Sequence, residues 1–284
     1  MDTEQISLRQ ERELGSILSD GFTFLKGNYR PIFRILYRTS FVPFIMYLVA
    51  VAITTSYQSP FSSVNLEWEV TYAIGLVMMV LSGLAYNLLA ASSVWGYMRQ
   101  YAIEGKSVDE GKVIKQTFKD VLRLLAFTII AGIMLFFGFM FFFLPGVYLA
   151  VPLYLSAVVI VMENKNLSNA LSRGFELVKG EWWVTFGTIL AILIVMAIIS
   201  FTFQIPLYAY SILKSFVLAD GEAFLTVGGN DLILVIISVL TNAVTYVMFI
   251  IHVVFAGLVY FDLDEQKSST GLFDQIEKLE KTDQ

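Results

Sequence analysis

Between Leu122 and Glu163 the chain reads LRLLAFTIIAGIMLFFGFMFFFLPGVYLAVPLYLSAVVIVME, with no charged residue from Leu124 to Met162. About 20 mainly apolar residues cross the ~30 Å hydrocarbon core of a bilayer as a helix rising ~1.5 Å per residue. The stretch is long enough for two crossings, Leu122 to Phe143 and Val147 to Met162, with Leu144-Pro145-Gly146 between them. Proline presets a turn and glycine relaxes it. The stretch is therefore predicted to be a membrane hairpin whose second arm is short and carries Pro152.

Four further apolar segments flank this hairpin: Ile32 to Thr55, Val70 to Met98, Trp183 to Leu207 and Leu232 to Phe261. The predicted fold is all-α, a polytopic integral membrane protein with six transmembrane helices in three hairpins. Composition agrees. Hydrophobic residues make up 57% of the 284 and charged residues 15%, against about 25% charged in soluble domains. A soluble enzyme of this composition would expose aggregating apolar patches. Cysteine is absent and His252 is the only histidine, so disulfides, thiolate catalysis and a histidine-pair metal site within one chain are excluded. Residues 1 to 13 are polar and mixed in charge, unlike a secretion signal. The net charge of −5 argues against a nucleic-acid partner.

Lysine and arginine set the expected orientation. Eighteen of the 19 fall before the first span or at its entry (Arg34 and Arg38), between spans two and three up to Arg123 at the entry of the third, between four and five, or in the tail; Lys214 alone falls on the other side. Both termini are expected in the cytoplasm. Residues 1–262 are read as one six-helix domain and residues 263–284 as a cytoplasmic tail, in which Leu272, Phe273, Ile276 and Leu279 repeat at helical spacing.

The cytoplasmic segments resemble one another. LGSILSDGFTFLKG at 14–27 aligns without a gap with LSNALSRGFELVKG at 167–180, and a weaker copy starts at Val113. Self-similarity of this kind marks a repeated unit, here an amphipathic cytoplasmic helix followed by a hairpin. Such helices are expected near 14–26, 108–120 and 167–179. Leu14, Ile17, Leu18, Phe22 and Leu25 form the expected apolar face of the first, and Leu167, Ala170, Leu171, Phe175 and Val178 that of the last. Gly27 and Gly180 suit a left-handed position after a helix end. Ser107 and Glu110 suit a capping box. Tyr29, Trp182 and Trp183 suit headgroup depth.

The runs Leu144 to Leu153, Val159 to Glu163 and Ala170 to Trp183 resemble a group of bacterial membrane proteins that includes the membrane domain found beside glycerophosphodiester phosphodiesterases, the likeness spanning about residues 120 to 200. The phosphodiesterase barrel has no counterpart here. The resemblance implies an integral membrane module, multi-pass in a bacterial cytoplasmic (inner) membrane, without that catalytic activity.

No Asp, Glu, Lys or Arg falls near the middle of a predicted span; Glu163 and Asp262 fall at cytoplasmic ends, where water is expected to reach them. The candidate intramembrane polar site is the stripe Ser238, Asn242, Thr245 and His252 on the last helix, with Asn87 on the second. It reads as interhelical hydrogen bonding or as a ligand site. Gln204, Pro206 and Tyr208 read as a kink, Gly228 to Asp231 as a turn and helix start, and Asp262, Asp264 and Glu265 as a solvated helix end rather than a Mg²⁺ site. No catalytic constellation, cofactor or metal is expected. The expected function is a non-enzymatic scaffold or accessory module, with lipid, or a protein at the cytoplasmic helices or tail, as partner. A transporter or export component for a hydrophobic or weakly polar solute is the alternative.

Overall fold

The structure is a computed structural model and describes residues 7–57, 66–105, 107–141, 143–218 and 231–268. Among the described residues there are eight helices and no strand: α1 Leu14–Thr39, α2 Phe41–Tyr57, α3 Leu66–Glu104, α4 Glu110–Phe141, α5 Phe143–Met162, α6 Leu167–Val178, α7 Trp182–Leu218 and α8 Leu232–Ser268. Five of these (α3, α4, α5, α7 and α8) are long and apolar enough to cross a membrane, and the broken pair α1–α2 makes a sixth. The protein is an all-helical, multi-pass membrane protein.

The predicted first span is interrupted at Ser40. Alone, α2 has 17 residues, roughly 26 Å of helix at 1.5 Å per residue, short of a ~30 Å hydrocarbon core. The segment at 14–26 does not end at Gly27, which lies inside α1. The segment at 108–120 is likewise the start of α4. Only the third copy is a helix of its own, α6, and there Gly180 takes the expected left-handed conformation at φ +89°. The middle copy is capped by Asp109 rather than by a Ser107–Glu110 box. Asp109 Oδ1 accepts from the N–H groups of Gly111 at 2.9 Å and Lys112 at 3.2 Å. Leu272, Phe273, Ile276 and Leu279 lie outside the described residues, as do Gly228 to Asn230.

The chain divides into two compact units. The first takes its described residues from 7–39, 88–194 and 250–268, the second from 40–57, 66–87, 195–218 and 231–249.

In the first unit the repeat has a packing explanation. Ile17, Gly21 and Phe24 of α1 are buried, and so are Ala170, Gly174 and Leu177, which occupy the same places in the other copy. A Cβ on Gly21 would stand 2.4 Å from the Phe255 ring, and one on Gly174 would stand 2.0 Å from Ser156 Oγ. The repeated glycine is where each helix presses onto its neighbour. The apolar faces are therefore turned into the protein, about one residue away from the expected set: Phe22 is 45% exposed and Leu14 37%.

The α4–α5 hairpin turns earlier than expected. Leu144, Pro145 and Gly146 belong to the first turn of α5, where proline's missing N–H has no intrahelical acceptor to lose. Gly146 serves a close approach: its Cβ would lie 2.5 Å from the Phe139 ring, and a Cβ on Gly138 would lie 3.1 Å from Gly146 Cα. Further along α5, Pro152 has no N–H for the Tyr148 carbonyl, and the Trp182 indole N–H donates to that carbonyl at 3.2 Å. The Tyr148 and Trp182 rings stack with centroids 5.3 Å apart. In the second unit, α7 runs through Pro206 as one helix, with the Tyr208 hydroxyl donating to Gln204 Oε1 at 3.2 Å.

Gly138 and Gly132 lie on the same helix, but no atom outside the local helix backbone lies within 4 Å of a Cβ on Gly132. Leucine at Gly138 collides with backbone and should cost about 1–3 kcal/mol. At Gly132 it should be neutral or gain up to about 1 kcal/mol of helix propensity. Thermal unfolding of Gly138→Leu and Gly132→Leu in one detergent is expected to separate them in that order.

Candidate functional site

The first unit carries an ionic network at the ends of α4, α5, α6 and α8. Glu163 follows α5 and is the first hub: it accepts from Arg173 Nε at 3.2 Å and from the Tyr260 hydroxyl at 3.1 Å, and it pairs with Lys165. Arg173, on α6, also reaches Asp264 on α8 at 2.7 Å and Glu176 at 3.0 Å. One guanidinium thus bridges three carboxylates, using the several donors of its planar fork. Its side chain is 15% exposed, with Glu163 at 18% and Asp264 at 20%. Burial would lower the Arg173 pKa, but the hydrogen bond to Glu176 and the charge on Glu163 outweigh it and hold the group above its ordinary value.

Two further arginines tie in neighbouring segments. The Arg12 backbone N–H donates to Asp262 Oδ1 at 2.7 Å, and its Nε donates to Asp20 at 3.0 Å. Its remaining nitrogens donate to the carbonyls of Ser7, Leu8 and Gln10. The side chain is fully buried; burial lowers its pKa against the opposing pull of Asp20 and Asp262. Arg123, on α4, pairs with Asp120 and donates to the carbonyls of Asn164 and Lys165. These contacts hold the loop at Asn164, whose φ of 53° is a left-handed conformation that asparagine tolerates. Asn166 then caps α6, accepting from Asn169 N–H at 3.0 Å. At the other end Lys267 donates to the Lys179 carbonyl at 2.8 Å. Asp120 is wholly buried: Gln116 donates to Oδ1 at 2.9 Å, and Oδ2 has no hydrogen-bond partner among the described residues.

This network corrects the reading of the helix ends as solvated. Asp262 is 7% exposed and Glu265 6%, and Asp262 and Asp264 are turned to different partners. Among the described residues no three carboxylates or histidines are grouped to hold a metal ion. Every member was visible in the sequence as a charged residue outside the middle of an apolar segment. The pairings, 250 residues apart for Arg12 and Asp262, were not.

The polar stripe is divided between the units. Ser238, Asn242 and Thr245 lie in the second, as does the half-buried Asn87. Asn242 Oδ1 accepts from the Tyr47 hydroxyl at 2.9 Å, and its amide donates to the Ser238 carbonyl at 2.9 Å. Thr245 bonds back to the Thr241 carbonyl at 3.0 Å. Tyr47 stacks on Tyr246 with centroids 3.9 Å apart, and the Tyr86 hydroxyl donates to the Tyr246 carbonyl at 2.9 Å. His252 lies in the first unit, its Nε2 3.2 Å from the Tyr154 hydroxyl. Tyrosines are the partners that sequence reasoning missed. Their phenols count as hydrophobic in any composition window, so nothing in the pattern announces the hydroxyl.

At the other end of the second unit, Asp231 caps α8 by accepting from the N–H groups of Ile233 at 3.1 Å and Leu234 at 3.2 Å. Lys214 pairs with it, and the Tyr210 hydroxyl donates to it at 2.9 Å. The one cation expected on the opposite side of the membrane is thus neutralised. Burial would raise the Asp231 pKa, but Lys214 and the backbone N–H of Leu234 outweigh it and hold the carboxyl below its ordinary value.

Residues 56–221, more than half of the chain, match one known family. The chain belongs to the Uncharacterised protein family (UPF0259). The UPF0259 match includes Asp120, Arg123, Glu163 and Arg173 of the ionic network, and Lys214. The residues of α8 fall beyond it. No curated protein matches the chain, and no solved structure does.

Removing one partner of a buried ionic cluster leaves the others uncompensated. Arg173→Met is expected to destabilise by about 3 kcal/mol, because it leaves three carboxylates without their shared cation, and Arg173→Lys by less, because an ammonium keeps the charge but cannot span all three; detergent unfolding curves measure this. Asp231 gives a pH signature. Its depressed pKa means that its contribution is full above the unfolded value near 3.8 and is lost as pH falls through the lower folded value. The stability difference between wild type and Asp231→Asn should therefore be flat above about pH 5 and shrink only in stronger acid.

Proposed function

We propose that this chain is a non-enzymatic scaffold or accessory module of a bacterial cytoplasmic membrane, with both termini and the ionic network of the first unit on the cytoplasmic side. The observation that carries the reading is how the charged side chains at the helix ends are used. Arg12, Arg123 and Arg173 join the N-terminal segment, α4, α6 and α8 by ion pairs and hydrogen bonds. A cross-linked end of this kind suits a module that holds one arrangement for other components to dock against. The lysine and arginine bias supports the orientation, with Lys214 alone on the far side and paired to Asp231. The likeness of residues 120 to 200 to membrane domains beside glycerophosphodiester phosphodiesterases supports a membrane module that works without a catalytic barrel of its own. Lipid, and protein at the cytoplasmic helices or tail, are its proposed partners.

The alternative is a transporter or export component. It requires a path to the midplane that opens in turn to each side.

The absence of cysteine makes the test direct. Single cysteines are placed at Ser7, Ser56 and Thr245 and labelled with membrane-impermeant maleimide in intact cells and in inverted vesicles. A cytoplasmic N-terminus predicts that Ser7→Cys labels only in inverted vesicles and Ser56→Cys only in cells. A static bundle predicts no labelling of Thr245→Cys from either side. Labelling of Thr245→Cys from both sides would replace the scaffold by the transporter.

A further inference from the structure

Helix α1 has two working faces. One is the core face already described, continued by Ile32 and Ile35, 4% and 1% exposed. The other consists of two parallel rows at helical spacing. Tyr29, Phe33 and Tyr37 form an aromatic row, 56%, 67% and 56% exposed. Arg30, Arg34 and Arg38 form a basic row beside it, all exposed. Residues four apart on a helix are neighbours, so each row is continuous. The rows also touch: Arg30 Nε donates to the Tyr29 hydroxyl at 3.0 Å, and its guanidinium carbon lies 5.6 Å from the ring centroid.

The local charge is opposite to that of the whole chain. The protein carries −5, yet between Asp20 and Glu67 there is no acidic residue and there are four basic ones. Among the described residues, Arg34 alone of the three arginines of the row has a carboxylate partner, Glu110 at 2.8 Å, and it remains 62% exposed. The row therefore keeps a surplus of positive charge beside exposed rings in a membrane protein. Tyrosine and phenylalanine next to arginine is the chemistry of the headgroup layer, where the ring meets the acyl boundary and the guanidinium meets phosphate.

The geometry points to this face of α1 as a binding surface for anionic phospholipid, with the arginine row on the headgroup phosphates and the aromatic row at the acyl boundary. The assignment rests on the chain being embedded in a membrane, and holds for either a scaffold or a transporter.

The test is native mass spectrometry of the full chain in a neutral detergent, with phosphatidylglycerol and phosphatidylcholine offered at equal concentration. Wild type is expected to retain phosphatidylglycerol preferentially. Arg30→Gln/Arg38→Gln spares the Arg34–Glu110 pair and should keep the wild-type melting temperature while losing at least about fivefold of that preference, since each basic residue near an anionic surface contributes roughly that factor. Lys115→Gln/Lys119→Gln removes the same charge from α4 and should retain most of it. Equal retention of the two lipids by wild type would overturn the proposal, as would a full preference in the arginine variant. An equal loss in the lysine variant would also overturn it, by tracing the effect to net charge rather than to α1. A changed cysteine-labelling pattern at Thr245 would bear on the scaffold and leave this surface untouched.

Discussion

In hydrocarbon, a backbone N–H or carbonyl without a partner costs several kcal/mol, and no water is present to repair it. That constraint explains why the described residues are helical and how α5 accommodates its two prolines. Pro145 is admitted in the first turn of α5, where its nitrogen has nothing to donate to. Pro152 sits in the body of the same helix, and there the freed Tyr148 carbonyl receives the Trp182 indole N–H. The repair fixes where α7 begins and stacks Trp182 on Tyr148. A substitution that lipid should penalise thus becomes a contact between two segments of the first unit.

Charged groups obey the same rule at larger cost. At the ends of the apolar helices the first unit does not leave carboxylates and guanidinium groups to water. It gathers them, so that Arg173 serves three carboxylates and Arg12 closes on Asp20 and Asp262. Such clusters add little net stability over an apolar equivalent, but they are unforgiving of a missing member. They favour one arrangement of the N-terminal segment, α6 and α8 over others of similar hydrophobic content. The glycines at 21 and 174 work in the same direction: a side chain on either would push α1 off Phe255 or α6 off Ser156.

Much of this was legible in order. The six apolar segments and the alignment of 14–27 with 167–180 follow from periodicity and composition. Each depends on local chemistry: the length of an apolar run and the spacing of residues on a helix. Only the third copy of the repeat is a separate helix, the first two being the starts of α1 and α4, and the apolar face was placed about one residue away. The feature that decides the face is Gly21 or Gly174 meeting a neighbour, and a glycine carries no hydrophobic signal of its own.

What the sequence determined by itself is the solvent of this protein and which segments are apolar enough to cross it, because both depend on runs of apolar residues. Tertiary structure decided where helices stop and which polar groups meet. The break at Ser40, the turn before rather than at Leu144, the division of the polar stripe between Tyr47 and Tyr154, and the bridging of Glu163 to Asp264 through Arg173 depend on groups far apart in the chain. A helix end is identified in sequence by what it lacks, a continued apolar pattern. The partner that satisfies it lies on another element, and only packing brings that partner within hydrogen-bond distance.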